Sequence, residues 1–314
     1  MSDNPSSTSS ALLDTLDEAL GLLEGYAPDA AAGTDPSEPL PSLLTQCEAF
    51  CAAALEPEAV RTVHHMACSG GTLISKCLAA LPNSLLLSEM NPMSTLHIKI
   101  GMDKFYPTDL LLGLRRAIRP PEEETLARVF LAGVTALLAE CAAKGRYLVL
   151  RDHPHSNFCV DASAALRPTL LEILTREIPT HSVVTVRHPL DSFLALNDHK
   201  WSHFSPFTLE EYSLRYSAFL DRHAALPIVK YEDFVADPEA TIKTICGYLR
   251  MPYATGTVDL ISIIQLTGDS GRGSGVVIAP RPRRTVPEEL LATVESSPAY
   301  RSLCERLGYP HEAG

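Results

Sequence analysis

The sequence predicts an α/β domain of three layers, with a central, mainly parallel sheet of four or five strands flanked by helices. Three observations carry that expectation. From residue 60 onward, short apolar segments alternate with longer ones of helical spacing, the pattern of βαβ units. The short segments, such as Ser84 to Leu87 and Tyr147 to Leu150, lack the polar alternation of a half-exposed strand and suit a sheet covered on both faces. Two adjacent glycines, Gly70 and Gly71, stand where the first expected strand hands over to the first expected helix.

Taken in order, Val60 to Met66 reads as a buried strand. Thr72 to Leu81 reads as a helix stopped by Pro82, whose ring cannot continue it. Ser84 to Leu87 is a short strand. Pro120 to Lys144 is a long helix whose first turn holds Glu122 to Glu124, the charge sign favoured by the positive end of the helix dipole. Tyr147 to Leu150 is a strand, Ala162 to Glu177 a helix and Ser182 to Val186 a strand. A helix starts near Pro189 and another covers Glu210 to His223. Pro227 to Lys230 is a strand and Pro238 to Leu249 the following helix. No internal repeat interrupts the series.

A different composition precedes this pattern. The chain has 314 residues, 26 basic and 38 acidic, for a formal net charge of −12. Eleven of the acids, and no Lys or Arg, fall in residues 1–60, so that 61–314 is close to neutral. Residues 1–59 are read as an acidic, partly disordered helical leader. It is Ser-rich at its start, with a helix from Ser10 to Glu24, a Pro/Ala/Gly linker from Ala27 to Pro41 and a helix from Ser42 to Leu55. Two roles stay open for it: a cap on the main domain, residues 60–314, or an arm that docks a partner or makes a homodimer.

Composition also bounds function. With 46% hydrophobic and 20% charged residues the chain is an ordinary globular one, and its acidity disfavours a nucleic-acid partner. Eight scattered cysteines form no C-x-x-C pair and no His cluster at zinc spacing, which suits a reduced, cytoplasmic protein. Met1 to Ser10 is unlike a signal peptide, and the longest apolar window, Val129 to Ala139, is short for a membrane span.

The sharpest local feature is Ala67-Cys68-Ser69-Gly70-Gly71-Thr72-Leu73. A glycine loop between strand and helix turns free backbone N–H groups toward an anion, and the helix dipole adds to the attraction. A nucleoside-triphosphate loop needs Lys before the Thr. Gly71 stands there instead, which argues against ATP or GTP hydrolysis and leaves a P-loop-like cradle for another phosphorylated ligand.

Further motifs follow. His65 to Leu73 resembles the 5′-phosphosulfate loop of the sulfotransferases that use 3′-phosphoadenosine 5′-phosphosulfate (PAPS). Val184 to Ser192 resembles the strand and helix start that bind the donor's 3′-phosphate. Val229 to Phe234, followed by Asp237-Pro238, is similar to the family's Tyr-Glu-Asp strand and its next helix. Leu307-Gly308-Tyr309 is similar to the terminus of tyrosylprotein and bacterial sulfotransferases.

The resemblance implies transfer of a sulfuryl group from PAPS to an acceptor hydroxyl by in-line displacement, with release of PAP and no metal. Such a reaction is catalysed mainly by positioning and electrostatics. The acceptor it implies is a small molecule or a carrier-bound intermediate. It maps the donor cradle onto Cys68, Ser69, Gly70, Gly71, Thr72 and Leu73, and the 3′-phosphate onto Arg187 and Ser192. Ala195 stands where a second Ser is usual. The basic segment with Arg272, Arg281, Arg283 and Arg284 corresponds to a lid. Cys68 occupies the place of the family's loop Lys or Arg, so the cation falls to Arg151, His64 or His65.

Two residues compete as the base. Glu89 lies 21 positions after Cys68, an offset similar to that in tyrosylprotein sulfotransferases. His153, in Arg151-Asp152-His153, resembles the Lys-x-His element of cytosolic sulfotransferases, with Arg151 at the Lys position. Both follow expected strands at the carboxyl end, where open sheets place ligands. Trp201 either lines an acceptor cleft or belongs to the core. Two other functions stay open: a non-catalytic PAP-binding or scaffold protein, motivated by Cys68 and Ala195, and a P-loop nucleoside kinase.

Overall fold

The computed structural model describes residues 42, 58–96, 109–161, 163–267 and 278–312. The chain divides into two compact units, Met1–Glu56 and Pro57–Gly314, and the account below concerns the second. The helices expected over 10–24 and 42–55, and Arg272, lie outside the described residues.

Five strands form one parallel sheet: β1 (Val60–His65), β2 (Ser84–Met90), β3 (Tyr147–Asp152), β4 (Thr180–Val186) and β5 (Ile228–Lys230). Their order is β2-β3-β1-β4-β5, and each neighbouring pair is parallel. The central strands are buried on both sides, which explains their unbroken apolar patterns. Val63, Val149 and Val183 point to one face, where they pack with Ile74 and Leu78 of α1 (Gly71–Ala80). Ile242 and Ile245 of α2 (Pro238–Tyr248) complete that cluster. Val60, Leu148 and Leu150 point to the other face, against α3 (Glu123–Ala143). Val184 and Val186 pack there against α4 (Pro189–Asp198), α5 (Leu209–Arg222) and α6 (Pro298–Leu307). The result is the expected three-layer α/β fold.

Local chemistry sets the helix ends. Thr208 and Ser297 accept hydrogen bonds from Glu211 N and Tyr300 N at the starts of α5 and α6, and Asp237 does so ahead of Pro238. Helix α3 is long and apolar enough to cross a membrane by length and composition. Leu126, Phe130, Leu131, Val134 and Leu138 instead fill the core cluster against β3.

Three of the elements read from the sequence differ in the structure, and the helices Leu110–Arg115, Glu288–Ser296 and Pro298–Leu307 have no counterpart in the sequence reading. The span 162–177 is not one helix but a turn of 3₁₀ helix, Ala164–Leu166, and a short helix, Leu170–Leu174. Pro168 divides them, and Thr169 with Glu172 forms a capping box that starts the second afresh. Tyr231-Glu232-Asp233 is helical, the first turn of Tyr231–Ala236, because β5 ends at Lys230. Strand β2 continues past Leu87 to Met90, with a register shift between those two residues.

Candidate active site

A cleft of about 930 Å³ opens at the carboxyl ends of the strands. That volume lies near the top of the range for small-molecule sites. Its floor is the loop between β1 and α1. Gly70 has φ +86° and cannot carry a side chain, since a Cβ would clash with the Tyr231 ring. A Cβ on Gly71 would run into the His65 imidazole. The two glycines are therefore fixed by close packing beneath the loop as well as by its turn. Cys68 also takes a left-handed conformation, φ +61°. Ser69 is buried and donates its hydroxyl to Met66 O, 2.7 Å, which closes the turn.

Arg151, at the end of β3, ties the loop to the opposite wall. Its Nε donates to His65 Nε2 at 2.8 Å and its Nη2 to Thr72 Oγ1 at 2.8 Å. Its Nη1 donates to Ser88 Oγ at 2.9 Å and pairs with Glu89 Oε1 at 2.7 Å. Glu89 sits at the β2 register shift with φ +61°, a conformation costly for a non-glycine residue and characteristic of functional positions. The bulge turns its carboxylate toward Arg151 and toward His153, whose Nε2 is 3.4 Å from Glu89 Oε2. Burial raises the Glu89 pKa; Arg151 opposes this and Asp152 adds to it. Desolvation lowers the His65 pKa well below the ordinary imidazole value, with the Arg151 charge adding to the effect. His65 is thus a neutral acceptor for Arg151, not a cation.

Across the cleft, Arg187 donates from Nη1 to Cys68 O at 3.2 Å and lies over the Tyr231 ring, 5.1 Å from its centroid. Glu232 accepts from His188 N at 3.0 Å and from the Tyr309 hydroxyl at 2.6 Å. The Lys230 amine donates to Gly308 O at 3.1 Å. The Tyr-Glu-Asp segment and the terminal Leu307-Gly308-Tyr309 are therefore one packed unit under the Arg187 turn.

The sulfotransferase family model matches residues 65–255, more than half the chain and the stretch that supplies most of the cleft lining. The chain belongs to the sulfotransferase family. Among solved structures, it is similar to the sulfotransferase domain of the Synechococcus PCC 7002 olefin synthase. The identity is 20%, with 81% of this chain and 96% of that one covered and a TM-score of 0.54. The sulfotransferase domain from the curacin biosynthetic pathway matches at 16% identity, over 81% of this chain and 99% of that one, with a TM-score of 0.47. A sulfotransferase from Alicyclobacillus acidocaldarius matches at 11% identity, over 81% and 97%, with a TM-score of 0.42. No curated protein matches the sequence.

Within this sulfotransferase the residues singled out from sequence divide. Cys68, Gly70, Gly71, Thr72, Leu73, Glu89, Arg151, His153, Arg187 and Arg284 line the cleft. Ser192 does not. It is fully buried on the inner side of α4, while Ala195, one helical turn on, reaches the cleft. Arg283 is engaged by Asp191 at 3.1 Å, Arg284 pairs with Asp198, and Arg281 is exposed. His64, a candidate cation, faces the opposite side of the sheet. Trp201 lines the cleft, stacked on His199 at 4.9 Å and edge-on to His155 at 6.2 Å.

Two contributors go unannounced by the motifs. Lys76 lines the cleft one helical turn after Thr72, a spacing of four that places both on one face of α1. Thr267 closes the edge of β2, exchanging hydrogen bonds with Ser88: Ser88 Oγ to Thr267 O at 2.9 Å and Thr267 Oγ1 to Ser88 O at 3.0 Å. The spacing could have flagged Lys76; no local signal points to Thr267.

Proposed function

We propose that this sulfotransferase moves the sulfuryl group of PAPS to an acceptor hydroxyl, releasing PAP. The observation that carries the reading is Arg151, which links the phosphate-cradle residue Thr72 with the carboxylate of Glu89. One guanidinium thereby serves both ends of an in-line transfer. Cys68 leaves the loop without the cation usual at that position; Arg151, reaching in from β3, supplies the positive charge beside the cradle.

The acceptor oxygen attacks sulfur as Glu89 takes its proton. The new oxygen–sulfur bond forms as the bond from sulfur to the phosphate oxygen breaks. Charge developing on the leaving phosphate falls to the loop N–H groups, the Thr72 hydroxyl and Arg151. Glu89 is favoured over His153 as the base because its burial raises its affinity for a proton. His153, held at Nδ1 by Ser156 Oγ at 2.7 Å, steadies the carboxylate through its Nε2. Arg187, on the other side of the loop, suits the 3′-phosphate. Calorimetry with PAP tests the donor site: saturable one-site binding is expected, with Arg187→Ala weakening it roughly tenfold to a hundredfold. Absence of binding at high micromolar PAP contradicts the assignment.

A further inference from the structure

Beneath the cleft, on the opposite face of the same two strands, lies a second polar cluster that the transfer chemistry does not use. His64 and Asp152 follow each other across β1 and β3 as His65 and Arg151 do, one residue out of phase, so strand alternation sends one pair to each face. His64 Nδ1 is 2.7 Å from Asp152 Oδ2, with both side chains essentially inaccessible. His64 Nε2 meets Thr62 Oγ1 at 2.8 Å, and Thr62 donates its hydroxyl to Ser182 Oγ at 2.6 Å. His223 of α5 lies against His64, ring centroids 4.6 Å apart, and its Nδ1 donates to Phe219 O at 2.8 Å.

Ser182, Thr62, His64 and Asp152 form one continuous hydrogen-bonded chain. At 2.7 Å a single proton lies between His64 Nδ1 and Asp152 Oδ2, because two lone pairs do not face each other at that distance. One ligand atom from each of His64, Asp152 and His223 lies within 4.8 Å of the others, as a metal cluster would require. Two ligands of one zinc ion, each about 2.0–2.2 Å from it, stand well over 3 Å apart at tetrahedral angles. The His64–Asp152 separation is that of a hydrogen bond.

We propose that Asp152, hydrogen-bonded to His64, is a positioning residue that anchors the end of β3 so that its neighbours Arg151 and His153 converge on Glu89. Arg151 and His153 flank Asp152 in sequence, and each pairs with a different oxygen of Glu89. The chain Ser182, Thr62, His64, Asp152 crosses β4, β1 and β3, so the anchor ties three strands at the level of the cleft. This inference rests on the proposed roles of Arg151, Glu89 and His153, but its test needs no sulfuryl transfer.

The test is an NMR titration of the His153 imidazole in the full chain. Glu89, Ser156 and the His155 ring lie against His153, Arg151 stands beyond Glu89, and the neutral His65 is within electrostatic reach. Glu89→Gln removes the facing carboxylate and is expected to lower the His153 pKa by about one unit. In an Asp152→Ala background the same substitution is expected to shift it by less than about a third of that, because the two side chains no longer meet. Asp152→Asn keeps a hydrogen-bonding partner of the same shape for His64 Nδ1 and is expected to retain the full coupling. Should the alanine variant fail to fold, Thr62→Val, which removes the hydrogen-bond partner of His64 Nε2, is expected to weaken the coupling by about half on the same scale. Full coupling in the alanine variant (or in Thr62→Val) overturns the proposal, as does an asparagine variant that behaves like alanine. Failure of the donor assignment shows separately, as loss of PAP binding by the unmodified chain.

Discussion

The two faces of the sheet at the ends of β1 and β3 are built from adjacent residues and serve opposite purposes. On the cleft face, His65 and Arg151 meet Thr72 and Glu89, and all four line the cavity. On the far face, His64 and Asp152 meet Thr62, Ser182 and His223 in a dry interior. The same residue classes give a reactive ion cluster where water and ligand enter, and a nearly neutral network where they do not. Burial drives that difference: it pushes the Asp152 carboxyl up to about 7, and the His64 and His223 imidazoles down to about 3 and about 4.

Substitutions on the cleft face should break the comparison most strongly. Glu89→Gln is expected to lower kcat by about 10²–10⁴, the usual contribution of a positioned base. In the unmodified protein, kcat/KM should fall as pH drops through the Glu89 pKa, which burial places above the ordinary carboxylate value. Loss of that acid limb in the glutamine variant checks the assignment. A full-activity Glu89→Gln excludes it. Arg151→Ala should cost about 10²–10³ in kcat as an electrostatic stabiliser is removed. A change confined to KM would instead make Arg151 a binding group only.

Gly71→Ala sharpens the comparison by pressing on His65, the end of β1 that accepts from Arg151 of β3. Overpacking of this kind costs about 1–3 kcal/mol, measurable by denaturant unfolding. Unchanged stability would mean that the His65 ring moves aside freely.

The far face is expected to show itself in the pH dependence of stability. Unfolded imidazoles bind protons that buried His64 and His223 refuse, so these two favour the fold more as pH rises from about 4 toward 6.5. Asp152 acts oppositely, because its folded carboxyl keeps a proton that the unfolded one releases. Two imidazoles outweigh one carboxyl, so their net contribution increases over that interval. Asp152→Asn removes the opposing effect and should steepen the rise relative to the unmodified chain, as read by unfolding at pH 4.5 and 6.5. An unchanged slope would place the proton elsewhere.

Much of this was legible in the sequence, for reasons of scale. The strand–glycine loop–helix unit is local, so its five-strand sheet context and its cradle could be read from residues 60–81 and the alternation that follows. Glu89 and Arg151 were reachable through motif offsets. The device that aims Glu89, a bulge with φ +61°, belongs to backbone geometry and leaves no residue-type signature. The His64–Asp152 pair joins positions 88 residues apart, and Thr62–Ser182 joins positions 120 apart, so only the strand order brings them together. Ser192 lies off the cleft because a helix turns 100° per residue: the inner side of α4 takes the serine, and Ala195, three positions on, reaches the cleft.

The central claim, transfer of a sulfuryl group from PAPS under Glu89 and Arg151, is tested most directly by mass spectrometry of a hydroxyl-acceptor library incubated with PAPS and the protein. The account predicts at least one acceptor gaining a single sulfuryl group with stoichiometric PAP, and loss of that product with both Glu89→Gln and Arg151→Ala. Product formed undiminished by the two variants would contradict it.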